Sequence, residues 1–194
     1  MAQKCMTMVE RLWEEMSDEP LAKNYEIRTI GPPAPTDETM SKCRELCGQN
    51  LCGTFNANWG CPPGVGSEKE CLSLVKRYSD AAVIMRRYDG IDLKDKTITD
   101  RIVKDHQELC RRFGNVLRKN GYDVLPLADG GCTYCGTCSY PDSPCKFPDQ
   151  RITSVSCYGI LMDEYMGSQG VDFTFEKESM TLYGIMLYNT PAGK

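Results

Sequence analysis

The sequence predicts an α/β domain with a small mixed sheet, flanking helices and two cysteine-rich loops; α+β is the alternative. Three observations predict it. Ala81 to Tyr88 is a β-branched and aromatic run, and Asp123 to Leu127 is a second short strand-like run. Between them Ile98, Ile102, Val103, Leu109, Cys110, Phe113, Val116 and Leu117 recur at the helical period, which predicts a helix over Ile98 to Lys119. Strand, helix and strand in that order make a βαβ-like unit. The stretches 48–70 and 128–150 instead mix glycine, proline and cysteine with little periodicity, and read as loops.

The other elements follow from local signals. Residues 3–16 put Cys5, Met8, Val9, Leu12, Trp13 and Met16 on one helical face, so residues 1–20 read as a docking helix and 21–194 as a single domain. Glu26 to Ile30 reads as a strand, halted by Gly31-Pro32-Pro33-Ala34-Pro35. Thr36 or Asp37 caps a helix that runs to Cys47, with Gly48 as its stop. Cys43 and Cys47 share a face of that helix. Ser156 to Met166 reads as helical. Val171–Phe175 and Thr181–Tyr188 read as a terminal hairpin joined by Glu176–Ser179.

Over 194 residues, 41% are apolar and 26% charged, which is ordinary globular composition. The net charge of −4 and the absence of a basic stripe exclude a nucleic-acid partner. No segment approaches the ~20 apolar residues of a membrane span. Met1 to Met16 is interrupted by Lys4, Glu10, Arg11, Glu14 and Glu15, unlike the core of an export signal. The expectation is a cytoplasmic protein with reduced thiols; a disulfide protein is the alternative.

The anomaly is sulfur: 12 cysteines against a single histidine, His106. One histidine leaves no basis for a Rieske centre, a histidine-rich metal site or a His-based triad. The stretch Cys132-x2-Cys135-x2-Cys138-x6-Cys145 carries two successive x2 spacings, which wrap three thiolates around one corner of a cubane. Zinc usually takes two separated C-x2-C pairs or adds histidine, so it is the lesser alternative. The earlier group is looser. Cys43, Cys47, Cys52, Cys61 and Cys71 compete for four positions, and Cys61-Pro62-Pro63 has the proline that often follows a cluster ligand. The expected set is Cys47, Cys52, Cys61 and Cys71, with Cys43 as the alternative to Cys71. Cys5, Cys110 and Cys157 stand apart from both groups: Cys110 reads as a core thiol, and a spare ligand is only the lesser alternative for Cys157.

The stretch from Cys52-Gly-Thr-Phe-Asn-Ala-Asn-Trp-Gly-Cys61-Pro-Pro-Gly-Val-Gly to Cys71 is similar to a motif of a prokaryotic family of predicted metal-binding proteins, a domain of unknown function. So are Gly131-Cys-Thr-Tyr-Cys-Gly-Thr-Cys138, Pro144-Cys-Lys-Phe-Pro148 and Ser154-Val-Ser-Cys-Tyr-Gly-Ile160. The resemblance covers about residues 40–190. It implies metal binding and supplies no reaction.

The leading expectation is an iron–sulfur protein with two four-iron–four-sulfur clusters, acting in electron transfer with a redox partner that docks on its acidic surface. A second reading is a catalytic enzyme with an open iron, its pocket lined by Asn56, Asn58, Trp59, Tyr134 and Lys146. The third is a zinc-bound structural or interaction module.

Overall fold

The computed structural model describes residues 6–173 and 178–191. Among them five strands, β1 (Glu26–Ile30), β2 (Asp80–Asp89), β3 (Asp123–Ala128), β4 (Thr153–Ser154) and β5 (Ser179–Asn189), form one mixed sheet in the order β1-β2-β5-β3-β4. Only the β3–β4 pair is parallel. The architecture is α/β. The expected βαβ unit is present but split, because β5 lies between β2 and β3, antiparallel to both.

Both faces of the sheet are covered. Helix α1 (Met8–Glu14) and the long α4 (Lys96–Lys119) pack on one face, against Ala82, Ile84, Met186 and Tyr188. Trp13 of α1 meets Phe113 of α4 edge-on, with ring centroids 5.2 Å apart. On the other face, α2 (Asp37–Gly48), α3 (Glu68–Val75) and α5 (Met162–Ser168) bury Met40, Leu72 and Met166 against Val83, Ile185 and Leu187. A strand buried on both faces needs no apolar–polar alternation. The near-continuous apolar run of β5 satisfies that condition.

Three expectations change. The terminal hairpin does not form: Val171 to Phe173 is not a strand, and β5 pairs with β2 and β3 over its length. Residues 174–177 of that expected hairpin lie outside the described residues, as does Cys5. The helix expected over Ser156 to Met166 is broken into a 3-10 turn, Val155–Tyr158, and α5, since Gly159 adopts the left-handed conformation at φ 71°. Finally, the loop 48–70 ends early. Ser67 and Glu70 form a capping box that starts α3 at Glu68.

The packing of α4 on β5 is tight enough to predict a cost. A Cβ on Gly184 would collide with the Cys110 sulfur and crowd the His106 ring. Gly184→Ala should therefore lower stability in urea unfolding by about 1–3 kcal/mol, and adding Cys110→Ala should recover much of the loss.

His106 is fully buried, stacks on Tyr25 at 5.6 Å between centroids, and places Nδ1 3.2 Å from the Tyr25 hydroxyl. Burial holds its pKa down at about 4 against an ordinary 6.5. Between those values the unfolded chain takes up a proton that the folded chain refuses. Its stabilising contribution is thus full above 6.5 and is lost as pH falls towards 4. Asp129, pushed up to about 6 by desolvation, acts in the opposite sense over much of the same window. The histidine's part is isolated by comparison with His106→Gln: from about pH 7 to about pH 5 the wild type should lose ~2 kcal/mol relative to the variant.

Candidate metal centre

The first group of thiols gathers where α2 ends. Cys47 lies in the last turn of α2, and the following loop returns Cys52 and Cys61. These three line a cavity of about 250 Å³ together with Thr54, Asp129 and Ser156. The Cys61 thiol donates to Thr54 Oγ1 at 3.3 Å, Cys52 Sγ lies 3.0 Å from the same hydroxyl, and Cys47 donates to Ser156 Oγ at 3.7 Å.

The Val155–Tyr158 turn brings up Cys157 beside them. Its sulfur is close enough to that of Cys61 for the two to interact, which favours the Cys61 thiolate and disfavours that of Cys157. Cys157 also donates to the Gly60 carbonyl at 3.4 Å.

Cys71, expected in this group, lies elsewhere. The helix started at Glu68 turns it into the core at 2% exposure, where its sulfur accepts from Arg44 Nη2 at 3.3 Å. Neither Cys71 nor Cys157 lines the cavity, but only Cys157 interacts with Cys61 and Cys47. Cys43 is buried on α2, and burial pushes its thiol up to about 11. The structure therefore brings together Cys47, Cys52 and Cys61, and sets Cys157 rather than Cys71 next to them.

The second group is Cys132, Cys135, Cys138 and Cys145, all partly exposed on the loop after β3. They are near enough for Cys132, Cys145 and Cys138, after desolvation, to push the Cys135 thiol up. A cavity of about 600 Å³ beside them is lined by Cys52, Cys132, Cys135, Tyr134, Lys96 and Lys104, among others. Every described cysteine is a free thiol. Among the described residues, no three His, Cys, Asp or Glu side chains converge closely enough to hold a single metal ion as they stand. The donors of both groups are sulfur throughout, the set that suits soft metals and iron–sulfur clusters.

The two cysteine loops are built into one another. A Cβ on Gly60 would lie 2.9 Å from Cys132 Cβ, and one on Gly131 would lie 2.8 Å from Thr54 Cβ. Each glycine lets a side chain of the other loop lie against its backbone, where a Cβ would collide with it. Trp59 Nε1 donates to the Ser143 carbonyl at 3.0 Å and stacks edge-on against Tyr140, whose hydroxyl donates to Asn56 Oδ1 at 2.7 Å. Asn58 is buried and accepts from the Gly60 amide. Of the side chains expected to line a pocket, Asn56, Asn58 and Trp59 fasten the loops, Tyr134 lines the larger cavity, and Lys146 is exposed.

Two residues at the site were not anticipated. Asp129, just after β3, is a half-buried carboxyl on the wall of the first cavity, and its Oδ2 accepts from the Tyr183 amide at 2.9 Å. Gln107 is fully buried on α4. Its Nε2 donates to the Asp129 and Gly131 carbonyls at 2.8 and 2.9 Å, while its Oε1 accepts from the Thr133 amide and hydroxyl at 3.0 and 2.9 Å. The available signal was an amide beside His106 on a face otherwise rich in apolar residues. Gln107→Leu leaves four polar groups without that partner. It should cost about 2–4 kcal/mol in urea unfolding and weaken metal retention at the second group more than at the first.

A family model matches the chain, whereas no curated protein and no solved structure does. Two all-thiol groups fastened together at the end of a sheet are consistent with the description that the matching model carries. That model, described as Predicted metal-binding protein (DUF2284), spans residues 36–188, and the chain belongs to this family.

Proposed function

We propose that the chain is an iron–sulfur protein that holds two four-iron–four-sulfur clusters and passes single electrons between partner proteins. The observation that carries this reading is the shared wall between the groups: Cys52, Thr54 and Gly130 line both cavities. Cys47, Cys52, Cys61 and Cys157 would hold one cluster, and Cys132, Cys135, Cys138 and Cys145 the other. Such clusters, when bound, accept and release one electron with little rearrangement.

The chain's own residues supply placement. Gln107 fixes the start of the second loop, Thr54 orients two thiols of the first, and Trp59 with Tyr140 keeps the loops in register. Burial of Cys61 and Cys157 keeps water from one side of the first group. The partly exposed second group lies where a protein that donates or accepts one electron can approach, and the net charge of −4 favours a partner with a basic face. A zinc ion needs four donors drawn to ~2.3 Å of one point. Cys47, Cys52 and Cys61 stand around one cavity, and Cys52, Cys132 and Cys135 around the other, an arrangement that suits a larger inorganic core.

Metal and sulfide analysis of anaerobically prepared protein tests the reading. About eight iron and eight sulfide per chain are expected, with an absorbance band near ~400 nm. Cys135→Ala should lose about half of both, and so should Cys157→Ser, whereas Cys71→Ser should retain them. Zinc without sulfide would sink the proposal. Iron lost with Cys71 but kept without Cys157 would return the fourth position to Cys71.

A further inference from the structure

The cavity of about 600 Å³ beside the second group has two unlike walls. Cys52, Cys132 and Cys135 stand on the loop side, whereas Cys138 and Cys145, the other two thiols of the second group, do not line it. The space therefore extends past the thiols instead of closing around them. The facing wall is α4, which presents Lys96, Asp100 and Lys104 at successive spacings of four on one helical face, with Val103 beside them. This wall carries no sulfur, so holding a cluster does not account for it. Its size is that of a small-molecule pocket, about 300–1,000 Å³.

The charges on the α4 wall do not pair with one another. Lys96 with Asp100, and Asp100 with Lys104, have the spacing at which helical ion pairs form, yet none of the three takes part in an ion pair among the described residues. Two cations against one anion make a local positive patch in a chain of net charge −4. Both lysines are exposed and free to turn towards an occupant. On the loop side the Tyr134 ring is 42% exposed and held in place, with the Arg111 guanidinium 4.6 Å from its centroid and the Phe147 ring edge-on at 5.2 Å. A Cβ on Gly136, further along that wall, would meet nothing within 4 Å. An aromatic ring and an aliphatic side chain supply apolar surface, and two ammonium groups supply recognition of a negative group.

We propose that this cavity binds a small organic carboxylate, its charged end held by Lys96 and Lys104 and its apolar part laid on Tyr134 and Val103. Two ammonium groups alone would suit inorganic phosphate equally; the ring and the valine favour an anion with an apolar body. The site rests on the fold and not on a metal, and under the cluster reading above its occupant lies beside the second cluster.

The test is calorimetric titration of the anaerobic full-length protein at low salt, with iron counted in each sample. Benzoate and hexanoate are the probes; benzamide and inorganic phosphate are the controls. At least one carboxylate should bind saturably, and both controls more weakly. Lys96→Met and Lys104→Met should each weaken it about five- to tenfold, as for a partly solvated charge-assisted hydrogen bond. Asp100→Asn should tighten binding, because it removes a repelling charge; a substitution that merely loosened the wall would act in the opposite sense. Lys42→Met, on α2 and remote from the cavity, should change nothing. Absence of binding by both carboxylates at millimolar concentration overturns the proposal. So does phosphate or benzamide bound as tightly, or an equal loss with Lys42→Met. Iron-free wild type that still binds a carboxylate in this pattern overturns the cluster reading and upholds the site. Protein with both clusters that binds neither probe overturns the site alone.

Discussion

The close approach of the two cysteine loops, at Gly60 and at Gly131, is the constraint on which the rest of the site depends. Neither cysteine loop has the apolar content to order itself against the backbone entropy of about 1–2 kcal/mol per residue. Each is ordered instead by the other and by the end of the sheet. Ser154 of β4 donates to the Gly60 carbonyl at 3.2 Å, and Gln107 of α4 holds Gly131 and Thr133. A methyl group at either glycine would push the loops apart and separate the two sulfur groups together.

This arrangement explains which parts of the molecule were legible in the sequence. Helix α4 and strands β1, β2 and β3 carry their own periodicity, so their positions could be read locally. The start of α3 was also written locally, in Ser67 and Glu70, but the glycines and prolines before it read as one continuous loop. The insertion of β5 between β2 and β3 has no local signal, because the pairing joins residues about a hundred positions apart, such as Val83 and Ile185. A hairpin with the preceding segment was the shorter-range alternative.

Legibility of the site follows the same division. Spacing alone groups Cys132, Cys135, Cys138 and Cys145, because one short loop carries all four. The first group draws on α2, a loop and a turn more than a hundred residues later, so its membership is a tertiary matter. In sequence Cys71 closes the loop that holds Cys61-Pro62-Pro63, whereas in the fold Cys157 is the one placed beside Cys61. Gln107 escaped notice for a related reason. A buried amide is informative only when its four partners are known.

The place of β5 in the chain has a consequence for how the protein is made. All the described cysteines precede Ser179, while the strand that starts there lies at the centre of the sheet and supplies the Tyr183 amide that anchors Asp129. During synthesis every one of these thiols therefore leaves the ribosome before the sheet that supports them can close. Throughout that interval they belong to an unfinished framework, exposed to oxidants and to stray metal. Correct loading is thus an event that follows translation of β5, and a cell making this protein must keep the nascent thiols reduced until then.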